Sequence, residues 1–214
     1  MKSWVVCAAL LALVPTAFAQ NAAPAGAKEQ VAQDLLDKVR QQLKDAPVVR
    51  GGFEQEKSIK GFRQPLRSSG EFVVAKDKGI VWHVLKPFES TLVVKPDSLQ
   101  SRRGDGEVSM QMRAEDEPVL RTVNAMLFAV MSADLVQLRK FFEVSGKSQA
   151  SGWQMHLVPR DPLLAQWLAS VDLEGGPFVR EVRLKEARGD SSIIRIQDAR
   201  AESRLSDADA AQFR

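Results

Sequence analysis

The sequence predicts an α+β fold built around antiparallel sheet. Three observations carry this. Val31, Leu35, Val39 and Leu43 recur every four residues near the start of the chain, with Leu36 widening the stripe, which is the spacing of one helix face. From residue 48 to 112, and again from 141 to 196, short alternating or apolar runs are separated by turns of a few residues rich in Gly, Pro and Asp. Such connections are too short for parallel crossovers and favour antiparallel neighbours. One helix-length apolar run separates the two strand-rich stretches, so the order is helix, strands, helix, strands, and not the strict strand–helix alternation of a doubly wound fold.

Composition narrows the class further. With 44% hydrophobic and 27% charged residues, the 214-residue chain is ordinary globular material. Its net charge of +3 is too small to point to nucleic acid, despite a pI near 9.1. A single cysteine excludes a disulfide scaffold, and with two histidines it leaves little from which to build a zinc site.

The elements follow in order. Lys2, the apolar run Val5–Val14 and Ala17-Phe18-Ala19 have the pattern of a secretory signal peptide, with cleavage expected before Gln20. The run is half of the roughly 20 residues that a membrane span needs. Cys7 lies inside it behind Val6, where a lipid-anchored cysteine would follow a small residue. Residues 1–19 are thus expected to be a leader, and residues 20–214 a single exported domain, in the periplasm. Lys28–Lys44 reads as helix, ended by Asp45-Ala46-Pro47. Val48–Ile59 reads as a strand with a bend or bulge at Gly51-Gly52, and Gly61–Arg67 as a loop. Strands follow at Gly70–Ala75, Ile80–Leu85 and Ser90–Val94. Leu99–Arg103 and Val108–Met112 form a hairpin around Gly104-Asp105-Gly106. Helix returns at Pro118–Met131, with a shorter piece at Ala133–Arg139. Phe141–Val144, Trp153–Val158, Val171–Leu173, Phe178–Leu184 and Ser191–Ile196 read as strands. Periodicity leaves Pro162–Ala169 open between helix and strand, and Asp207–Phe213 open between a helical turn and a last strand.

Motifs of catalysis are scarce. No HExxH, GxSxG or phosphate-loop pattern occurs. His83 and His156 sit in strand-like runs among apolar residues and read as ordinary sheet histidines; a Ser/His/Asp group assembled in space has no local signature. Glu54 and Glu56 share one strand face. That is the raw material of carboxylate-based hydrolysis, yet Lys57 and Lys60 beside them fit a solvated face equally well. Gly104-Asp105-Gly106 lacks the ligand sequence of a calcium loop and reads as a turn. Lys57, Lys60, Arg63 and Arg67, and separately Arg102 and Arg103, are local basic surpluses. They suit either a dispersed solvated surface or a docking surface for anionic lipid heads or an acidic partner.

The run Val123–Met131 has Asn124 as its sole polar member. A helix on one face of a sheet needs one apolar stripe, so one that is apolar nearly all round needs a cover on its far side too. More protein, a partner or a hydrophobic ligand would each serve. Methionine, at 126, 131, 110, 112 and 155, suits surfaces that repack around variable guests, though a central core helix is the plainer alternative.

The segment Val49-Arg50-Gly51-Gly52-Phe53-Glu54-Gln55-Glu56-Lys57 resembles the opening strand of the LolA family, periplasmic carriers of outer-membrane lipoproteins, in which a small residue precedes Phe-x-Gln-x-Lys. The resemblance continues through Gly70-Glu71-Phe72, Trp82-His83, Pro87 and Leu92-Val93-Val94 to the acidic-Ala-Phe tail Asp207–Phe213. It implies a curved, incomplete antiparallel β-barrel whose mouth is covered by an α-helical lid, made by the leading helix and Pro118–Met131. The apolar interior would hold acyl chains of a lipoprotein or other lipid, without a cofactor. Partners would be an inner-membrane donor complex and an outer-membrane acceptor, with the carrier acting as a monomer.

Two departures mark a divergent branch. The family's Arg-Pro aligns with Lys76-Asp77. Lysine keeps the charge through which the family's arginine couples to the lid, without its planar two-pronged contact. An aromatic, tyrosine-containing strand is replaced by Lys95-Pro96-Asp97-Ser98-Leu99. Other cargo follows as an alternative, a non-lipoprotein lipid or pigment beside an exporter, as does a lipid-sensing envelope regulator. Alternation assigns Phe72, Val74, Ile80, Trp82, Val84 and Leu92 to the cargo-facing sheet surface, and Leu120, Val123, Leu127 and Val130 to the lid. A one-residue slip in register would swap every face.

Overall fold

The structure, a computed structural model, describes residues 25–113, 115–116 and 135–213. Helix α1 (Ala25–Gln42) leads into six strands: β1 (Val48–Ser58), β2 (Leu66–Ala75), β3 (Gly79–Lys86), β4 (Ser90–Val94), β5 (Ser98–Arg103) and β6 (Val108–Arg113). After helix α2 (Leu135–Phe141) come β7 (Phe142–Gln149), β8 (Gly152–Pro159), the single turn α3 (Pro162–Ala165), β9 (Leu168–Gly175), β10 (Val179–Glu186), β11 (Ser191–Glu202) and α4 (Asp207–Gln212). All described strands join one antiparallel sheet in the order β6-β5-β4-β3-β2-β1-β11-β10-β9-β8-β7. The sheet does not close: β6 and β7 are its two edges, and the chain between them runs through the apolar segment 118–131. Among the described residues no helix is long and apolar enough to cross a membrane.

The sheet has an inner and an outer face. Cross-strand partners share a face, so the registers trace the inner one from edge to edge. Helix α1 lays Leu35, Leu36 and Val39 on the β7–β10 half of it, where Phe142, Val144, Met155, Leu157, Val171, Leu173 and Val182 form the largest core. Trp153 is 1% exposed in that core and donates its indole N–H to the Gly176 carbonyl at 2.8 Å, so its polar atom is satisfied. A second core lies on the outer face, where Val48, Val73, Ala75, Val81 and Val93 pack against Leu205 and Phe213.

The bulge expected at Gly51-Gly52 is present, but the extra residue belongs to β11. Gly51 alone faces Asp198 and Ala199, and Asp198 takes the left-handed conformation at φ 51°. Gly51 is required for close approach: a Cβ there would stand 2.7 Å from the Gln197 carbonyl oxygen and 3.0 Å from the Phe72 ring.

Several sequence expectations are corrected. Val31 is 69% exposed and not part of the packed stripe; a four-residue repeat drifts by about 40° per step around a helix, so it leaves the buried face within two or three steps. Leu66 and Arg67, expected in a loop, already pair with β1. Phe141 ends α2, and the strand begins at Phe142. Strands β7, β9 and β11 run well beyond the expected 141–144, 171–173 and 191–196, because their partners continue and ladder hydrogen bonds persist without an apolar signal. The ambiguous 162–169 segment divides. Asp161 caps α3 by accepting from the Leu163 N–H at 2.7 Å, and strand resumes at Leu168. The tail forms a helix capped by Ser206, which accepts from the Asp209 N–H at 3.1 Å.

Candidate functional site

The β2–β6 half of the inner face carries the sequence-assigned cargo residues. Register places them in rows. Val74, Ile80, Val94, Leu99 and Met112 stand side by side across β2–β6. Phe72, Trp82, Leu92, Ser101 and Met110 form the next row, and Gly70, Val84, Ser90 and Arg103 the third. Burial falls along this sequence. Val74, Ile80, Val94 and Leu99 are 2–8% exposed with Met112 half-buried at the edge; in the next row Phe72 is 4% exposed, Trp82 and Leu92 are half-buried, and Met110 is 44% exposed. The apolar face therefore opens towards the end of the sheet that bears the β1–β2 and β3–β4 loops.

Its centre is an aromatic stack. Phe53 lies against Trp82 with ring centroids 3.8 Å apart and an interplanar angle of 25°, and Phe72 follows at 6.0 Å. The two strands bearing Phe53 and Trp82 are not neighbours; β2 lies between them, and Gly70 is the residue opposite Phe53. With no side chain at Gly70, the Phe53 ring crosses over β2 to reach the indole. A Cβ at Gly70 would stand 1.9 Å from the His83 carbonyl oxygen. The three sequence motifs Gly-Phe-x-Gln-x-Lys, Gly-acidic-Phe and Trp-His thus meet in one cluster.

All six sheet residues assigned from sequence lie on this face. Sequence reasoning left out Phe53, Val49, Val94, Leu99, Met112 and Ile196, which pack there too. Alternation in 92–94 signals Val94, but Phe53 stands between glycines and glutamates, where periodicity is silent. Leu120, Val123, Leu127 and Val130 lie outside the described residues.

Lys76, on the β2–β3 turn, makes a close ion pair with Asp45, three residues past α1, and its backbone N–H donates to the Pro47 carbonyl at 3.0 Å. The hydrogen bond from Lys76 and its positive charge hold the Asp45 carboxyl below its ordinary pKa. Lys76 therefore touches the connection leaving the leading helix, though both side chains are largely exposed.

Around its small apolar core the outer face is charged. Arg50 makes a close ion pair with Asp209 of α4 and another with Glu202 at 2.9 Å, fastening the tail over Val48, Val73 and Val81. Burial opposes the Asp209 charge, yet the hydrogen bonds from Ser206 and Arg50 and the Arg50 charge outweigh it and lower its pKa. The same balance raises that of Arg50. An adjoining cleft of about 430 Å³ is lined by Glu71, His83, Glu89, Asp198 and Arg200 and suits polar contents. His83 meets Glu89 at 3.1 Å and His156 meets Asp172 at 2.6 Å. Ser145 stands opposite His156 in the register, but makes no hydrogen bond to that ring among the described residues. Glu56 is held by Arg195 at 3.4 Å and lies 3.9 Å from Arg67, in an ion-pair ladder. Among the described residues no three His, Cys, Asp or Glu side chains are grouped to hold a metal ion.

The family model described as outer membrane lipoprotein carrier protein LolA-like matches residues 25–213. The chain belongs to this family. Among solved structures, a LolA superfamily protein from Nitrosomonas europaea is similar at 10% identity and a TM-score of 0.46, covering 83% of this chain and 96% of that one. A DUF1329 family protein from Desulfovibrio piger is similar at 9% identity and a TM-score of 0.48, covering 86% and 98%. The MucA/MucB complex from Pseudomonas aeruginosa contains a chain similar at 15% identity and a TM-score of 0.42, covering 83% and 59%. No curated protein matches the sequence. The family is described as one of carriers, and this chain's own sheet is open and antiparallel with few helices among the described residues.

Proposed function

We propose that this chain is a periplasmic carrier that holds the acyl chains of a lipoprotein or another lipid on the β2–β6 half of its inner face. It receives them from an inner-membrane donor and passes them to an outer-membrane acceptor. The observation that carries the reading is the graded apolar face around Phe53, Trp82 and Phe72, on a sheet whose unpaired edges are joined by an apolar segment. Helix α1 is committed to the other half through Leu35, Leu36 and Val39. The segment carrying Leu120, Val123, Leu127 and Val130 is then the remaining cover, displaced when cargo enters.

Energetics dictate the mode of delivery. Each methylene removed from water stabilises by about 0.8 kcal/mol, so releasing a chain of about 16 carbons into water costs roughly 12 kcal/mol. Cargo must pass directly from one apolar surface to the next, and the carrier must hold it less tightly than the acceptor does. Half-buried Trp82 and Leu92, with methionines at 110 and 112, suit adaptable and moderate binding. The Lys76–Asp45 contact ties the sheet to the end of α1 and serves lid coupling in the reading proposed here.

The test is to isolate the protein from the periplasm of its own cell and identify co-purified lipids by mass spectrometry. Acyl-bearing lipid in stoichiometric amount is expected. Lipid-free protein that also fails to bind a fluorescent acyl probe overturns the reading.

A further inference from the structure

The two ends of the sheet differ. One end carries the loops β1–β2, β3–β4, β5–β6, β8–β9 and β10–β11. Of the ten large apolar side chains that stand exposed among the described residues, all but Val31 lie on these loops or within a few residues of them. Phe88 is 83% exposed, Phe62 71%, Trp167 66% and Leu66 57%. Scattered exposed apolar residues are normal on a protein surface, but a scatter would fall on both ends.

The loops are physically joined. Ala187 N–H donates to the Trp167 carbonyl at 3.0 Å, and the Arg188 guanidinium lies 5.7 Å from the centre of the Trp167 ring. Lys60 N–H donates to Asp190 at 3.0 Å. Trp167, the β10–β11 turn and the β1–β2 loop that bears Phe62 therefore form one rim. Residues 57–70 carry four cations and not one carboxylate; Lys57 is paired with Glu186 at 2.7 Å and Arg67 lies 3.9 Å from Glu56, whereas Lys60 and Arg63 make no ion pair among the described residues.

We infer that this rim is a docking surface for an anionic phospholipid bilayer. The basic run complements anionic headgroups. Phenylalanine, tryptophan and leucine interleaved with Lys60 and Arg63 make the mixture that settles at a membrane–water interface. The apolar groups are carried on separate loop tips, an arrangement that a fluid bilayer accommodates and that a rigid protein partner would have to match in relief. The inner face also loses its cover towards this same end, so an acyl chain sliding along β3 from Ile80 past Trp82 to Val84 would leave across the rim. Docking does not depend on the carrier reading, and cargo binding is measured separately with an acyl probe in the absence of vesicles.

The test is flotation of the full chain, as its cell processes it, with vesicles of equal parts phosphatidylglycerol and phosphatidylcholine, and with pure phosphatidylcholine. Any contribution from residues 1–19 is common to all variants. The Phe62→Ser/Phe88→Ser pair is expected to weaken partition on both vesicle types by at least about tenfold. Lys60→Gln and Arg63→Gln should each cost about fivefold on the anionic vesicles, with little change on the neutral ones. Lys78→Gln, on the exposed β2–β3 turn at the other end, should change neither. Circular dichroism verifies each fold. Absence of flotation by the parent protein overturns the inference, as does equal flotation by the rim variants. Self-association that the Phe pair abolishes, without vesicle binding, would instead make the rim a contact between copies.

Discussion

Replacing Trp82 by alanine separates cargo binding from core stability. Trp82 is half-buried: one side of the indole rests on Phe53 at 3.8 Å, and the remainder faces the open part of the inner surface. Trp153, on the other half of the sheet, is 1% exposed beneath α1. Full truncation of a buried tryptophan costs about 3–5 kcal/mol, and that is the expected loss for Trp153→Ala. For Trp82→Ala the lost stack and partial burial should cost about 2 kcal/mol of stability. Removing the exposed part of the indole takes away contact with two or three methylenes of a bound chain. At about 0.8 kcal/mol each this is roughly 2 kcal/mol, or about thirtyfold in affinity. Titration with a fluorescent acyl probe reads the second effect, and urea unfolding the first. Probe affinity should fall in Trp82→Ala and change less than about threefold in Trp153→Ala. Equal affinity in parent and Trp82→Ala, with unchanged circular dichroism, or equal losses in both variants, would refute the assignment of cargo to the β2–β6 half.

Leu127→Glu, in the segment joining the sheet edges, should lower probe affinity while the described sheet keeps its circular dichroism; unchanged affinity removes that segment from the site. Lys76→Ala and Asp45→Asn should leave the melting temperature and probe affinity nearly unchanged, since the pair is exposed, but alter the rate of transfer to acceptor vesicles. A normal rate in both excludes lid coupling through this pair. Asp209 has a lowered carboxyl pKa, so its contribution to tail docking is full above the unfolded value near 3.9 and is lost as pH falls through the lower folded value. Hydrogen exchange of Ala210–Phe213 should therefore accelerate in strong acid, and at neutral pH in Asp209→Asn. Tail amides that stay protected in that variant would refute it. Gly70→Ala, whose Cβ would clash with the His83 carbonyl, should destabilise by more than about 2 kcal/mol and also weaken probe binding by unstacking Phe53 from Trp82; a neutral effect would place the ring contact elsewhere.

The extent to which this molecule is legible from its sequence follows from the range of each interaction. Alternation in 72–74, 80–84 and 92–94 is a local signal, and it assigned Phe72, Val74, Ile80, Trp82, Val84 and Leu92 to one face in the right register. Where one face is apolar, a slip by one residue would bury the polar set, so the pattern and the register agree. Phe53 escaped because its strand mates are glycine and glutamate, and its value to the face depends on a gap at Gly70 in another strand. The helix–strand–helix–strand order, the leading helix and the turns were likewise readable along the chain, since propensity and periodicity act over a few residues, whereas the open sheet was implied only by the resemblance to the LolA family.

Pairing of strands distant in sequence was not. Nothing in 48–58 announces 191–202 as its neighbour, because a ladder of backbone hydrogen bonds is indifferent to side-chain identity. Only that pairing puts the extra residue of the bulge on β11, locks α4 to Arg50, and joins the β1–β2 loop to the β10–β11 turn. Phe62, Phe88 and Trp167 are three unrelated loop residues in one dimension. The antiparallel return of each strand brings them to one rim, so the face was written in local alternation, while the end at which it opens was decided by tertiary closure alone.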